Sequence, residues 1–175
     1  MGVNGKQKGN DQERHLSNML SARFEAYSGI KQSFRRNPDS GSFWGASNQK
    51  RTETHDTEYA NFGDLLCPKN FNYSIESKAY KKAPSLESIM TQKVTEWDLW
   101  LKQCEQDAKN ANKKPALIVK YNGVKEIVFL TDGLREDGDP AYDGEIIPPV
   151  IHYKQYFVYQ LKTFLEQPDS LFFNK

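Results

Sequence analysis

The period of the apolar positions changes several times along this chain, and each change marks an element. Leu16, Met19, Leu20 and Phe24 recur at helical spacing behind the capping residues Asn10 and Asp11, which predicts a helix from there to Ser28-Gly29. Residues 1–9, rich in Gly, Asn and Lys, read as a loose N-terminal stretch, and residues 10–175 as a single domain. Residues 32–36 read as a short strand, residues 37–42 as turns, and the polar residues 43–59 as a long mobile loop. A second strand is expected at 61–66, stopped by Pro68. Residues 71–79 alternate, with Phe71, Tyr73 and Ile75 on one face and Ser74, Glu76 and Lys78 on the other. Ile89, Val94, Trp97, Trp100, Leu101 and Cys104 then predict one long helix over 86–111. Two apolar strands, 115–120 and 125–130, flank Asn122-Gly123 as a hairpin. An acidic loop follows, then a last strand within 150–158 and a short helix over 159–166. Helix, strands, long helix, strands is the order of an α/β or α+β fold around a mixed central sheet.

Composition narrows the class. With 37% apolar, 27% charged and 13% aromatic residues, the chain is polar yet rich enough in aromatics to fold. No run approaches the roughly 18 apolar residues of a membrane span, and the first residues lack the apolar stretch of a signal peptide. Cys67 and Cys104 make neither a disulfide framework nor a zinc site, so a reducing, intracellular setting is expected. The net charge of +1 hides an uneven distribution: residues 131–145 carry −5, which leaves +6 elsewhere. Lys31/Arg35/Arg36, Lys50/Arg51, Lys78/Lys81/Lys82 and Lys113/Lys114 are basic clusters suited to phosphates, or equally to ordinary solvated surface.

The chemistry concentrates on Gly63-Asp64 and Glu76-Ser77-Lys78. Residues two apart on a strand leave the same face, so Glu76 and Lys78 emerge together. Asp64, at the end of a neighbouring strand, can bring its carboxylate beside Glu76. Two converging carboxylates suit a hard divalent cation such as Mg²⁺, which takes oxygen ligands and keeps waters or phosphate oxygens. Such an ion polarises a phosphate, and an adjacent lysine can orient water or offset charge. On spacing alone, the pattern fits this site or a plain Glu76–Lys78 surface pair. The histidines His15, His55 and His152 show no metal-binding spacing.

Further motifs stand in order around this core. They are Lys8-Gly9 with Glu13-Arg14, Phe34-Arg35-Arg36-x-Pro38-x-Ser40-Gly41, and Gly63-Asp64-Leu65-Leu66-x-Pro68. Ile75-Glu76-Ser77-Lys78 and Trp100-x-x-Gln103 follow, leading to Pro115-Ala116-Leu117-Ile118-Val119-Lys120. Over residues 8 to about 122 the chain resembles the PD-(D/E)xK nuclease superfamily, and more narrowly its phage-type Holliday junction resolvase-like members. Gly-Asp stands here in place of Pro-Asp. The resemblance implies a restriction-endonuclease-like fold, a mixed central sheet flanked by helices. It also implies Mg²⁺-dependent endonuclease activity (with Mn²⁺ substituting) on branched DNA, usually by a homodimer. Carried over by position, it implies Asp64, Glu76 and Glu13 as metal ligands, Lys78 as the catalytic lysine and Gln103 as a polar residue beside the site. Arg35, Arg36 and Ser40, with Lys81 and Lys82, are the expected DNA contacts. Phe43 and Trp44 are candidates to stack or wedge at a branch. A sequence-specific or repair endonuclease on duplex DNA, and a non-catalytic DNA-binding protein of the same fold, are the alternatives.

Overall fold

The computed structural model describes residues 5–37, 59–60, 63–135 and 145–174. Helix α1 (Gly5–Ser28) leads into the short strands β1 (Arg35–Arg36) and β2 (Tyr59–Ala60), followed by β3 (Leu65–Pro68) and β4 (Tyr73–Tyr80). Two helices, α2 (Leu86–Met90) and α3 (Thr95–Ala111), cross back to β5 (Lys114–Tyr121) and β6 (Ile127–Leu130). The chain ends with β7 (Ile151–Tyr153), β8 (Tyr156–Gln160), α4 (Leu161–Leu165) and α5 (Asp169–Phe172).

Five strands form the main sheet in the order β4-β5-β6-β8-β7, with β4 and β5 parallel and the other pairs antiparallel. A parallel pair needs a long crossover, and α2 with α3 supplies it. One face of the sheet packs Ile75, Ile118 and Val128 against Leu16, Leu20 and Phe24 of α1 and against Phe164 and Phe172 of α4 and α5. The other face packs Leu117, Val119 and Phe129 against Trp97, Leu101 and Cys104 of α3. This is the α/β arrangement the sequence implies, a restriction-endonuclease-like mixed sheet between helical layers. Arg23 ties the first layer to the chain end, donating to Leu165 O (2.7 Å) and Gln167 O (2.9 Å). Among the described residues, no helix is long and apolar enough to cross a membrane.

Several boundaries differ from the sequence reading. Helix α1 starts at Gly5, so part of the stretch read as loose is helical. Strand β3 runs through Pro68 rather than stopping before it; β2 pairs there as Tyr59↔Pro68 and Ala60↔Cys67. The single helix expected over 86–111 is two helices, because Gln92 takes a left-handed conformation (φ 57°). The expected last strand is a hairpin, β7–β8, turning at left-handed Lys154 (φ 53°), and α5 lies beyond the last expected helix. The polar face of β4 is not solvated: Ser74 and Glu76 are buried. The expected loop 43–58, with Phe43 and Trp44, and most of the acidic stretch lie outside the described residues.

Candidate active site

Strand β4 is an edge of the main sheet, and its unpaired side is where the site assembles. Bare edges are normally covered, and here the covering group is Asp64. Its backbone N–H donates to Ile75 O (2.9 Å), and its carboxylate Oδ2 accepts the Ser77 N–H (2.8 Å). Asn37 holds the segment from the other side: its N–H donates to Asp64 O (2.9 Å) and its Nδ2 to Gly63 O (3.1 Å). Gly63 sits at φ 81°, and a Cβ there would lie 2.5 Å from Ile75 O. A proline or any side chain before Asp64 would push the aspartate off the edge. That contact accounts for Gly-Asp standing where related motifs carry Pro-Asp.

The β4 alternation, in parallel register with β5 (Glu76↔Leu117, Lys78↔Val119), turns Glu76 and Lys78 toward the face covered by α3. Glu76 is 1% exposed, and Lys78 Nζ donates a short hydrogen bond to its Oε1. Burial, then the Asp64 charge beside it, holds the Glu76 carboxyl well above the usual range, against the pull of Lys78. For Lys78, burial works against the ammonium, but the Glu76 charge and hydrogen bond, with Asp64, outweigh it and raise its pKa. The two shifts pull on one proton in opposite senses. Lys78, bonded directly to Glu76, is the cation of the pair, and the repulsion lies between the Asp64 and Glu76 carboxylates.

Glu13 reaches the same place from α1. It is 8% exposed, and burial, partly offset by its hydrogen bond from Arg36, holds its carboxyl above the usual range, with the Asp64 charge adding to the rise. Arg36 Nε donates to Glu13 Oε2 (2.6 Å) and its Nη2 to Asn10 Oδ1 (2.8 Å). Arg36, expected on phosphate, therefore spends its fork within the protein. Arg35 points the other way on the two-residue strand and is exposed, donating to Gln32 O at 3.4 Å. Lys81 and Lys82 are exposed just past β4, and Ser40 lies outside the described residues. Gln103 is exposed on α3 and makes no hydrogen bond among the described residues.

One residue that the motifs did not single out joins the group. Asp107, one turn beyond Gln103 on α3, is half-buried and unpaired among the described residues. Burial, and then the charge of Asp64, raise its pKa, with Lys78 acting in the opposite sense. Trp100, Gln103 and Asp107 lie at i, i+3 and i+7, along the flank of α3 that overhangs the β4 edge. That spacing is the signal that could have found it.

Among the described residues, four carboxylate side chains (Glu13, Asp64, Glu76, Asp107) thus face two cationic ones (Arg36, Lys78), a formal surplus of two negative charges when all are ionised. Among the described residues no three acidic, His or Cys side chains close into a preformed metal cage. Asp64 and Glu76 form an adjacent pair. Such a donor set fits Mg²⁺, which is held by one or two carboxylates plus waters and substrate oxygens rather than by an all-protein cage.

A carboxylate pair and a lysine at the edge of a mixed sheet between helices define the class: a nuclease of the PD-(D/E)xK type. The family model described as "Phage putative PDDEXK endonuclease" matches residues 4–170, and the chain belongs to that family. Its substrate is therefore DNA, and nucleases of this kind usually use divalent metal ions. Among curated proteins and solved structures no match is found.

Proposed function

We propose that the protein is a metal-dependent, structure-specific endonuclease that hydrolyses phosphodiester bonds in branched DNA, resolving Holliday junctions as a homodimer. Asp64 and Glu76 would hold Mg²⁺, or Mn²⁺ in its place, with Glu13 as an outer ligand acting through water. The observation that carries this reading is the pairing of Asp64 with Glu76 on the free edge of β4, with Lys78 hydrogen-bonded to Glu76. The junction specificity is supported by the ordered motifs, and DNA binding in general by the basic excess outside residues 131–145.

In the reaction, a water oxygen bonds to phosphorus as the P–O3′ bond breaks; the water gives up a proton to solvent and the departing O3′ oxygen takes one from it, leaving a 5′-phosphate and a 3′-hydroxyl. A divalent cation held by Asp64 and Glu76 would supply electrostatic activation of the phosphate. Lys78, an ammonium fixed by Glu76, orients the water and offsets charge developing on the phosphate oxygens. The Asn10–Glu13–Arg36 group braces α1 against β1 and keeps the Glu13 carboxylate turned into the site.

A side-by-side assay of a four-way junction against a matched duplex tests this. Paired symmetric nicks with 5′-phosphates are expected on the junction, with much slower cutting of duplex. Asp64→Asn and Lys78→Ala should each lower the single-turnover rate by about 10²–10³-fold, the scale of one lost transition-state contact. Junction cutting by both variants at the wild-type rate would sink the site assignment. Equal rates on duplex would replace junction resolution with duplex cleavage.

A further inference from the structure

Strand β4 does not end at Lys78. Two residues further on, roughly 6.6 Å along the strand, Tyr80 leaves the same face and is the last residue of β4. Its ring lies 4.6 Å from that of Trp100, tilted by 40°. Trp100 is only 8% exposed and is clamped by α3 packing on the sheet, so it is a rigid backing. Tyr80 itself is 47% exposed, and its hydroxyl makes no hydrogen bond among the described residues. Trp100 supports the ring on one side, and about half of Tyr80 remains in water. Lys81 and Lys82 follow at once, both exposed.

A residue needed only to cover Trp100 has no reason to hold an aromatic ring half in water between cationic side chains. A π-surface interleaved with lysines is the makeup of a single-strand nucleic-acid subsite, where lysines neutralise backbone and the ring takes a base. The distance to Lys78 is short enough that a phosphate beside the lysine and its attached base span both groups.

We propose that Tyr80, backed by Trp100 and flanked by Lys81 and Lys82, stacks the nucleobase adjoining the scissile phosphate. Because a base must leave its duplex stack to occupy this face, the subsite favours DNA whose base at the cut is already unpaired. This deepens the nuclease reading and rests on it.

Four-way junctions carrying 2-aminopurine on either side of the cut report stacking by fluorescence, and EDTA allows binding without cleavage. Wild-type protein and Tyr80→Phe should quench the probe at one of the two positions. Tyr80→Ala and Tyr80→Leu should lose that quench and bind the junction about ten- to a hundred-fold more weakly, the range of one stacked base. Tyr80→Leu keeps Trp100 covered, so its loss separates stacking from folding. Wild-type quenching and affinity in Tyr80→Leu would overturn the inference while leaving the nuclease reading intact. A wild-type protein that neither binds nor cuts any DNA would take both down.

Discussion

At the scale of single residues, the site is defined by an excess of negative charge, and Asp107 is the member whose contribution is easiest to isolate. It makes no hydrogen bond or ion pair among the described residues, so replacing it removes a charge and little else. In the metal-free protein that charge repels Asp64, and Asp107→Asn should relieve the repulsion. The relief at such a half-exposed group is a fraction of a kcal/mol, which for a chain of this length raises Tm by about 1–2 °C. The same charge attracts a divalent cation held by the neighbouring pair. Asp107→Asn should therefore raise the Mg²⁺ concentration for half-maximal cleavage by about two- to five-fold, as expected of a charge acting through solvent. Thermal melts in EDTA and metal titrations of cleavage check the two halves separately. A variant less stable than wild type in EDTA, with unchanged metal dependence, would reduce Asp107 to a structural residue. Gln103, on the same flank, carries no charge and should move neither quantity.

At the scale of elements, the site depends on how β3 is clipped to β4, and Gly63 is the point of closest approach. Gly63→Ala combines a left-handed backbone with a Cβ 2.5 Å from Ile75 O, so the backbone must shift. A cost of about 1–3 kcal/mol is expected, lowering Tm by several degrees. The shift also carries Asp64 away from Glu76, and displacement of about 1 Å costs on the order of 10²-fold in rate. Melting curves and single-turnover cleavage of the same preparation would show both losses; retention of either leaves the clip without its assigned role. This clip also shows what could be read in advance. Residues 71–79 were legible because alternation is a local signal, and it put Glu76 and Lys78 on one face correctly. Burial of that polar face was not legible, because the cover comes from α3, whose own pattern shows an apolar stripe but not where it docks. The break between α2 and α3 and the β7–β8 turn are not legible in the sequence for one shared reason. Gln92 and Lys154, neither of them Gly or Asn, adopt left-handed backbones that support each other across the fold. Gln92 Nε2 donates to His152 O (2.9 Å), and the Lys154 N–H donates to Gln92 Oε1. Asp107 is not legible either: its meaning comes from Asp64, before β3, and from Glu76 on β4.

At the scale of the whole molecule, the carboxylates come from α1, the bend before β3, β4 and α3, segments that meet only when the chain is folded. Folding therefore concentrates charge that the unfolded chain disperses, and leaves a surplus of two negatives at a sheet edge. An ion that binds only the folded arrangement stabilises it by mass action, by about 2.7 kcal/mol at a hundred times its dissociation constant. For a domain of this length that corresponds to a rise in Tm of about 5–10 °C. Mg²⁺ and Mn²⁺ should both produce it. In Asp64→Asn the amide oxygen can still accept the Ser77 N–H, so the fold keeps its clip while the carboxylate pair is lost. That variant should melt no lower than wild type in EDTA, because a like-charge contact has gone, and should gain little from either metal. The comparison needs no DNA and no turnover, so it tests the cation site apart from the substrate. A wild-type Tm indifferent to both metals, or an equal rise in Asp64→Asn, would mean that Asp64 and Glu76 do not hold the ion, and the surplus charge would need another partner.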